Sequence, residues 1–298
     1  MKKMLFILNP ISGQKRAARH LADIVSLYNR AGYEVITYVT GEQGDATRMA
    51  EKKCNEVDLI VCCGGDGTYN ETITGLQRAG SKVPVGYIPA GSTNDLATSL
   101  ALSGNVMQAA RDVLEGEPVA YDIGKFQDRY FSYVASFGAF TAVSYNTPQY
   151  IKNALGHTAY LLSGIQELSQ IRTEHIRMVL DEERVVEDDF LFGAICNATS
   201  VGGVLTLDPN QVDMSDGLLE VLLVRSPKNL TELGECIQAV QNQNYGNCAM
   251  ITFLSARKME IYTNPDMVWT LDGEREDGHA HIHVENQHLA VNLMRRAQ

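Results

Sequence analysis

The sequence lacks three features that would assign it to a class at once. Its six cysteines include no Cys-x-x-Cys pair, which argues against a zinc ribbon or a thioredoxin motif. No run of about 20 apolar residues is present, so no membrane-spanning helix is predicted. Positive charge is scarce, because 25 Lys and Arg against 36 Asp and Glu give a formal net charge of −11. That balance disfavours a general nucleic-acid binder and constitutive attachment to an anionic membrane.

The composition and the first residues indicate an ordinary globular chain. It has 298 residues, of which 45% are hydrophobic and 20% charged, and this length favours about two domains. The apolar run Met4–Leu8 is too short for a signal peptide and ends at Asn9-Pro10, so we expect a cytoplasmic protein.

The pattern of apolar runs changes near residue 120. Before it, short apolar runs alternate with amphipathic stretches, which predicts a parallel sheet with helical crossovers. We expect one helix over Lys15–Arg30 and another over Asp45–Cys54, capped by Asp45. After it, many short β-type runs with two helical stretches, His157–Gln170 and Leu230–Gln243, favour a sandwich or barrel.

A glycine-rich loop follows the third predicted strand. Gly64-Gly65-Asp66-Gly67-Thr68 leads into a helix expected over Thr68–Ala79, and glycine turns at a helix N-terminus are common phosphate sites. The pattern is neither a Walker A loop nor Gly-x-Gly-x-x-Gly. A tight turn with Asp66 or Thr68 as the helix cap is the alternative. Three glycines in four residues exceed what a cap needs, so phosphate binding is favoured.

Two further polar loops follow predicted strands. Pro89-Ala90-Gly91-Ser92-Thr93-Asn94-Asp95 follows the fourth strand, and Asn9-Pro10-x-Ser12-Gly13 follows the first. Parallel strands end at one edge of a sheet, so we expect these loops to face the same crevice as the glycine-rich loop. Taken alone, the loop after the fourth strand is equally consistent with a turn and an Asn or Asp helix cap.

These motifs together resemble the diacylglycerol kinase catalytic domain family, which includes sphingosine and ceramide kinases. Gly-Gly-Asp-Gly-Thr is shared with NAD kinases and 6-phosphofructokinases, but the supporting motifs narrow the resemblance. In family order, they are Asn9-Pro10-x-Ser12-Gly13, Thr40 with Gly44-Asp45-Ala46, Gly64–Glu71, Pro89-x-Gly91-x-x-Asn94-Asp95, Tyr121-Asp122-Ile123-Gly124 and Leu271-Asp272-Gly273-Glu274. One position departs from the family, which usually has Gly-Thr-x-Asn-Asp where this chain has Ser92 after Gly91; the hydroxyl is kept.

The resemblance implies ATP and Mg²⁺ as cofactors. The residues implied in ATP binding are Asn9, Thr40, Gly64, Gly65, Asp66, Gly67, Thr68, Tyr69, Asn70, Glu71 and Ser92. Asp66, Asp95 and Asp122 would hold the catalytic Mg²⁺ through water, since this ion gives up its hydration shell reluctantly. Backbone N–H groups and hydroxyls would replace the Walker lysine.

Two acidic turns follow in the C-terminal half. Composition alone favours a solvated surface turn at Asp272-Gly273-Glu274, whereas the resemblance makes Asp272 the general base on the acceptor hydroxyl and gives Glu274 a role in placing it. The turn at 213–218 is typical of a hairpin. Relatives would bind a structural Mg²⁺ there through the Asp216 carboxylate and the carbonyls of Asp213 and Leu218.

Three other features receive ordinary interpretations. His279, His281 and His283 alternate in a predicted strand and could bind a transition metal, but a solvated strand face is favoured. The basic cluster at positions 15, 16 and 19 is interpreted as a solvated helix face with a smaller chance of touching lipid headgroups. Residues 137–151 and Tyr160-Leu161-Leu162 are candidates for an apolar lipid entrance, although a core helix is the default.

The sequence therefore predicts an α/β protein with two domains. Residues 1–120 would form the N-terminal parallel-sheet nucleotide-binding domain. Residues 121–298 would form a C-terminal β-sandwich-like domain with two helices, its last strand returning to the first domain. The expected activity is phosphorylation of diacylglycerol to phosphatidic acid by a peripheral enzyme that visits the inner membrane face, with homodimerisation left open. The alternatives are another lipid acceptor (sphingoid base, ceramide or phosphatidylglycerol), an NAD kinase-like enzyme, or a non-catalytic nucleotide-binding regulator.

Overall fold

The computed structural model describes residues 1–138, 173–201 and 205–296. The chain divides into two compact units, one formed by Met1–Ile123 with Gln287–Gln298 and the other by Gly124–Asn286. Within the described ranges, no helix has both the length and the apolar character needed to cross a bilayer.

The first unit alternates strands and helices as the sequence predicts. Its elements are β1 (Lys2–Leu8), α1 (Arg16–Arg19), α2 (Leu21–Arg30), β2 (Tyr33–Val39), α3 (Asp45–Lys53), β3 (Leu59–Gly64), α4 (Asp66–Ala79), β4 (Val85–Pro89), α5 (Asp95–Ser99) and α6 (Val106–Glu115). The strands pair in parallel in the order β4-β3-β1-β2. Strand β3 is buried along its whole length, which explains why its residues do not alternate in polarity.

Two local predictions in this unit are wrong. The helix expected over Lys15–Arg30 is interrupted at His20, whose φ of −99° and ψ of 4° depart from helical values. Asp45 does not cap α3, because Gly44 occupies that position. The Asp45 carboxylate instead accepts hydrogen bonds from the N–H groups of Gly41 (2.7 Å) and Glu42 (3.0 Å), and these bonds lower the pKa of Asp45. It therefore closes the turn before the helix.

The second unit is rich in antiparallel strands. The elements from residue 117 onward are β5 (Glu117–Phe126), β6 (Arg129–Phe131), β7 (Val134–Gly138), β8 (Glu174–Leu180), β9 (Arg184–Cys196), β10 (Ser200–Val201), β11 (Leu205–Thr206), β12 (Leu219–Arg225), α7 (Leu230–Gln241), β13 (Ile251–Ala256), β14 (Lys258–Tyr262), β15 (Trp269–Leu271), β16 (Glu274–Glu276) and β17 (His281–Arg295). Strands β5 and β17 begin in one unit and end in the other. The predicted hairpin around residues 127–129 is present as β5 and β6. The helical stretch expected at His157–Gln170 and the apolar segments proposed as a lipid entrance lie largely outside the described residues.

The core of the second unit surrounds one tryptophan. Trp269 is fully buried, and its ring centroid lies 5.1 Å from that of Phe126 and 4.9 Å from that of Phe137. Leu271 belongs to the same cluster. Since side chains alternate along a strand, packing of Trp269 and Leu271 into the core fixes the end of β15, where Asp272 follows.

In the first unit, the C-terminal part of β17 extends the parallel sheet. Leu293 of β17 pairs with Val85 of β4. The side chains of Lys82 and Gln77 donate hydrogen bonds to the Ala290 carbonyl at 3.1 and 3.0 Å. These contacts hold the last strand against the edge formed by β4.

Candidate active site

In the first unit, the three loops predicted to face one crevice are in direct contact. Asn9 donates a side-chain hydrogen bond to the Thr68 hydroxyl at 3.0 Å. The Ala90 N–H donates to the Gly64 carbonyl at 2.7 Å, and the Ser12 hydroxyl donates to the Ala90 carbonyl at 3.3 Å. The loops after β1, β3 and β4 are therefore joined by side-chain and backbone hydrogen bonds.

Glycine allows these loops to approach closely. A Cβ atom on Gly91 would lie 2.6 Å from the Gly65 Cα, and one on Gly13 would lie 1.8 Å from the Ala90 oxygen. Gly13 also has a φ of +49°, which side chains disfavour. At these positions the glycines are needed for packing between loops, whatever ligand the loops bind.

Asp66 and Asp95 are connected at the start of two helices. Gly65 precedes α4, so Asp66 is the first helical residue, and neither Asp66 nor Thr68 occupies the capping position. The Asp66 carboxylate accepts a hydrogen bond from the Asp95 N–H at 3.0 Å and another from the Tyr87 hydroxyl at 3.3 Å. Sequence reasoning missed Tyr87, because it lies within a buried apolar strand.

Asp122 is fully buried and contacts the last strand. Its carboxylate oxygen Oδ1 lies 3.0 Å from His288 Nδ1 and accepts a hydrogen bond from the Leu289 N–H at 2.7 Å. Leu289 has a φ of +48°. Asp122 thus joins β5 to an irregular position of β17, and His288 is a second residue that the sequence did not single out.

Three more of the residues implied in ATP binding, Thr40, Glu71 and Ser92, differ in exposure and in hydrogen bonding. Ser92 is exposed, and Thr40 donates its N–H to the Leu8 carbonyl at 2.9 Å. The Glu71 carboxylate accepts hydrogen bonds from the Gly44 N–H (2.8 Å) and the Ala46 N–H (3.2 Å). Glu71 therefore satisfies N–H groups at the start of α3, a role that its place in the motif did not reveal.

In the second unit, Asp272 is held in a two-residue turn. Leu271 pairs with Glu274, and the residues between them, Asp272 and Gly273, have φ values of 49° and 85°. Such positive values are typical of tight hairpin turns with the sequence Asp-Gly. The alternative of a solvated acidic turn is wrong for Asp272, which is only 6% exposed.

Three consecutive backbone N–H groups bind the Asp272 carboxylate. Ser132 donates at 2.5 Å to one oxygen, while Tyr133 and Val134 each donate at 3.0 Å to the other. A carboxylate offers about four acceptor directions, so this arrangement sets the orientation of the group as well as its position. None of the three donors is recognisable from sequence, because each acts through its backbone.

The acidic turn at 213–218 binds its own backbone. The Asp213 carboxylate accepts hydrogen bonds from the Ser215 N–H (3.0 Å) and hydroxyl (2.7 Å). The Asp216 carboxylate accepts from the Leu218 N–H at 2.8 Å, and the Leu218 carbonyl accepts from the Asn286 side chain at 2.8 Å. The structural cation expected here remains a prediction.

The histidine-rich strand is paired with a glutamate. His281 Nε2 and His283 Nδ1 lie 2.7 and 2.8 Å from the two oxygens of Glu260. Burial by itself would raise the pKa of Glu260, but the hydrogen bonds with His283 and His281 outweigh it and leave the pKa lowered. Each of these imidazoles therefore has a carboxylate partner on β14.

The carboxylates at the start of α4 and α5 are chemically suited to the magnesium ion that the resemblance implies. Asp66 and Asp95 supply hard carboxylate oxygens at the end of a phosphate-type loop, and Mg²⁺ is commonly bound by one or two carboxylates with substrate phosphates and water. Within the described parts of the chain, no three His, Cys, Asp or Glu side chains form a complete metal cage.

A parallel sheet ending in glycine loops is followed along the chain by a β-rich unit with a buried carboxylate at a turn, in agreement with the architecture that the sequence predicts. Residues 3–126 match the family described as the diacylglycerol kinase catalytic domain. Residues 134–294 match the YegS C-terminal NAD kinase beta sandwich-like domain. The chain belongs to the diacylglycerol kinase family of lipid kinases, which confirms the predicted family and enzyme class.

Individual relatives agree with this assignment. A diacylglycerol kinase of Bacillus subtilis is 32% identical over 276 residues, covering 92% of this chain and 90% of its own. One from Staphylococcus epidermidis is 32% identical over 92% of this chain and 86% of its own. A solved structure of a proposed diacylglycerol kinase from Bacillus anthracis has a TM-score of 0.80 at 26% identity, covering 99% of this chain and 95% of its own. An NAD kinase from Archaeoglobus fulgidus in complex with ATP shares the fold, with a TM-score of 0.57 at 14% identity over 98% of this chain and 94% of its own.

Proposed function

We propose that this kinase transfers the γ-phosphoryl group of ATP to the free hydroxyl of diacylglycerol, giving phosphatidic acid and ADP. The observation that carries the proposal is the buried Asp272 carboxylate, held at a turn by the N–H groups of residues 132–134. The names of the bacillary and staphylococcal relatives support diacylglycerol as the acceptor. The likeness to an NAD kinase supports a common fold alone.

Asp272 would act as the general base of this reaction. Its carboxylate would accept the proton of the acceptor hydroxyl while that oxygen bonds to the γ-phosphorus and the bond from phosphorus to the bridging oxygen breaks. Phosphoryl transfer depends mainly on positioning and charge stabilisation. A carboxylate whose orientation is set by three N–H donors is suited to holding the acceptor hydroxyl in place. Glu274 would help to place the Asp272 carboxylate.

The loops of the first unit would bind the nucleotide. Backbone N–H groups of residues 64–68 and the hydroxyls of Thr68 and Ser92 would contact the phosphates, because glycines leave the backbone accessible. Bound Mg²⁺ would neutralise charge on the β- and γ-phosphates, and Asp66 and Asp95 would hold it, with Asp122 in the same water-linked network.

A lipid acceptor would require contact with a membrane surface. The formal net charge of −11 opposes strong attraction to anionic lipids. We therefore expect a peripheral protein whose binding to anionic vesicles is weak and transient. Tight vesicle binding that salt weakens would contradict this expectation.

The test is a phosphorylation assay with purified protein, labelled ATP and a panel of acceptors. The panel contains diacylglycerol, sphingosine, ceramide and phosphatidylglycerol in mixed micelles, with NAD as a soluble acceptor. We expect label in phosphatidic acid. Predominant label in another lipid or in NAD would refute diacylglycerol as the acceptor. ATP turnover without any labelled acceptor would favour the alternative of a non-catalytic nucleotide-binding regulator.

The matched variants are Asp272→Asn and Asp277→Asn. Asparagine keeps one oxygen that the Tyr133 and Val134 N–H groups can bind, while its NH₂ group would replace the oxygen that accepts from Ser132. A thermal melt therefore has to verify that Asp272→Asn is folded. Loss of a general base lowers kcat by about 10²- to 10⁴-fold. Asp277 belongs to the same acidic run, but its side chain is 82% exposed, so Asp277→Asn should leave kcat unchanged. Undiminished lipid phosphorylation by Asp272→Asn would exclude the proposed base.

A further inference from the structure

We propose that Arg129 is a positioning residue for acceptor phosphorylation and acts by holding the β15–β16 hairpin, which carries Asp272 and Glu274. The inference rests on the proposed function, because it assigns Arg129 an effect on Asp272. Arg129 contributes no reacting atom in this proposal. Its effect is on where the carboxylates of the hairpin lie.

The guanidinium group of Arg129 contacts every residue of β16. Its Nη2 donates to Glu274 Oε2 at 3.3 Å, and its Nη1 donates to the Arg275 carbonyl at 3.2 Å. The same Nη1 forms a short hydrogen bond with the Glu276 carboxylate. Only arginine presents several N–H donors in one rigid plane, so a single side chain spans the whole strand.

The residues that follow Arg129 hold the other end of the same hairpin. Three to five positions later, the N–H groups of Ser132, Tyr133 and Val134 bind the Asp272 carboxylate. The short segment 129–134 therefore contacts the hairpin twice, at its turn through the backbone and along β16 through the guanidinium. Strand β15 would stay paired with β7 if the guanidinium contact were removed. Strand β16 would then be held only by its pairing with β15 and by the turn, so the turn that carries Asp272 and Glu274 could shift.

The Arg129 contacts differ from those of an ordinary surface ion pair. The Glu276 side chain is only 15% exposed and that of Arg129 is 38% exposed. Two carboxylates and one carbonyl share the same guanidinium, and geometry of this kind gives more order than an isolated exposed pair. Arg177 gives a more exposed comparison in the same unit. Its Nε lies 3.5 Å from a Glu187 oxygen, both side chains are more than 40% exposed, and its guanidinium lies over the Tyr262 ring.

A purely structural role and a positioning role predict different kinetics. If Arg129 only stabilises the fold, Arg129→Gln reduces the amount of active enzyme and leaves the properties of each active molecule unchanged. If it positions Asp272, transfer to lipid slows in fully folded protein. Without a well-placed acceptor hydroxyl, more bound ATP would transfer its phosphoryl group to water. The number of ATP molecules hydrolysed for each lipid phosphorylated would then rise.

The experiment compares Arg129→Gln, Arg129→Lys and the control Arg177→Gln after each is shown to be folded. We expect kcat with diacylglycerol to fall about 10- to 100-fold in Arg129→Gln, because misplacement by about 1 Å can cost a factor of 100. The KM for ATP should stay constant, and the ratio of ATP hydrolysed to lipid phosphorylated should rise. Arg129→Lys should be intermediate, since an ammonium cannot span β16. Equal kinetics for Arg129→Gln and Arg177→Gln would overturn the proposal.

Asp272→Asn, alone and combined with Arg129→Gln, separates failure of this inference from failure of the proposed function. If Arg129 acts through Asp272, the double variant should be no slower than Asp272→Asn alone. A full additional loss in the double variant would mean an independent role and would overturn the inference while leaving the general base in place. Normal activity of Asp272→Asn would refute both.

Discussion

Replacing Gly91 with alanine should separate the two loops that we propose to bind ATP. The added Cβ would lie 2.6 Å from the Gly65 Cα and 2.7 Å from the Asn94 side-chain oxygen. The nearest atom of Gly65 is backbone, so it cannot move aside as a flexible side chain would. Gly65 directly precedes α4, so displacement of this loop would move the N–H groups that we propose to contact the phosphates.

The size of the effect follows from that distance. A separation of 2.6 Å is about 0.8 Å short of ordinary van der Waals contact, so the loops must separate by nearly that amount. Inserting a methyl group into a tightly packed site costs about 1–3 kcal/mol. For a unit of this size, about 2 kcal/mol corresponds to a fall in Tm of roughly 4–8 °C. A loop displaced by nearly 1 Å can reduce kcat/KM for ATP by on the order of 100-fold.

The assay measures thermal unfolding and ATP kinetics for Gly91→Ala beside Gly104→Ala. Apart from its two chain neighbours, no described residue has an atom within 4 Å of a Cβ built on Gly104. This control should therefore keep its activity and change stability by less than about 1 kcal/mol. Gly91→Ala should lower Tm, raise the KM for ATP and reduce the thermal shift that ATP produces. An unchanged Tm and KM in Gly91→Ala would refute the argument that these loops require glycine to pack.

Two further predictions concern titrating groups in the second unit. The sulfur atoms of Cys236 and Cys248 lie 3.6 Å apart, so a low-molecular-weight disulfide should oxidise them to a cystine that raises stability by about 3 kcal/mol. Burial raises the pKa of Cys236 to about 12, so this oxidation should become faster as the pH rises. Free thiols that persist at alkaline pH in mass spectrometry would contradict the predicted disulfide. The Asp189 and Glu187 carboxylates raise the pKa of His175 above 6.5 in the folded protein. The stabilisation from these ion pairs is therefore complete below the pKa of His175 in the unfolded chain, and it is lost as the pH rises through the pKa in the folded protein. Asp189→Asn should move the His175 NMR titration toward 6.5, and an unmoved titration would refute the pairing.

The predicted architecture depended on patterns that are local in sequence. Alternating apolar runs and amphipathic stretches are sufficient to predict the parallel sheet, because strands buried on both faces and one-sided helices have different periods. The convergence of the three loops follows from the rule that parallel strands end at one edge. The Asp-Gly pair at Asp272 likewise predicts a tight turn, because both central residues need positive φ.

Residues that act through distant partners could not be found in this way. Glu71 matched an ATP-binding motif, yet its carboxylate bonds the N–H groups of Gly44 and Ala46, more than twenty positions away. Asp45 was expected to cap its own helix and instead bonds the turn before it. In each case the residue type was informative, and the partner was set by how separate elements pack.

The sequence by itself determined the alternation of elements, the glycine loops and the family to which the chain belongs. Only the tertiary structure decided that Asp272 is buried, that residues 132–134 bind it through their backbone, and that Arg129 contacts all of β16. Asp272 and its N–H donors are separated by about 140 positions. A backbone N–H is present at nearly every residue and leaves no signature in the side-chain pattern. Which N–H groups meet a given carboxylate is settled by strand register and packing around Trp269.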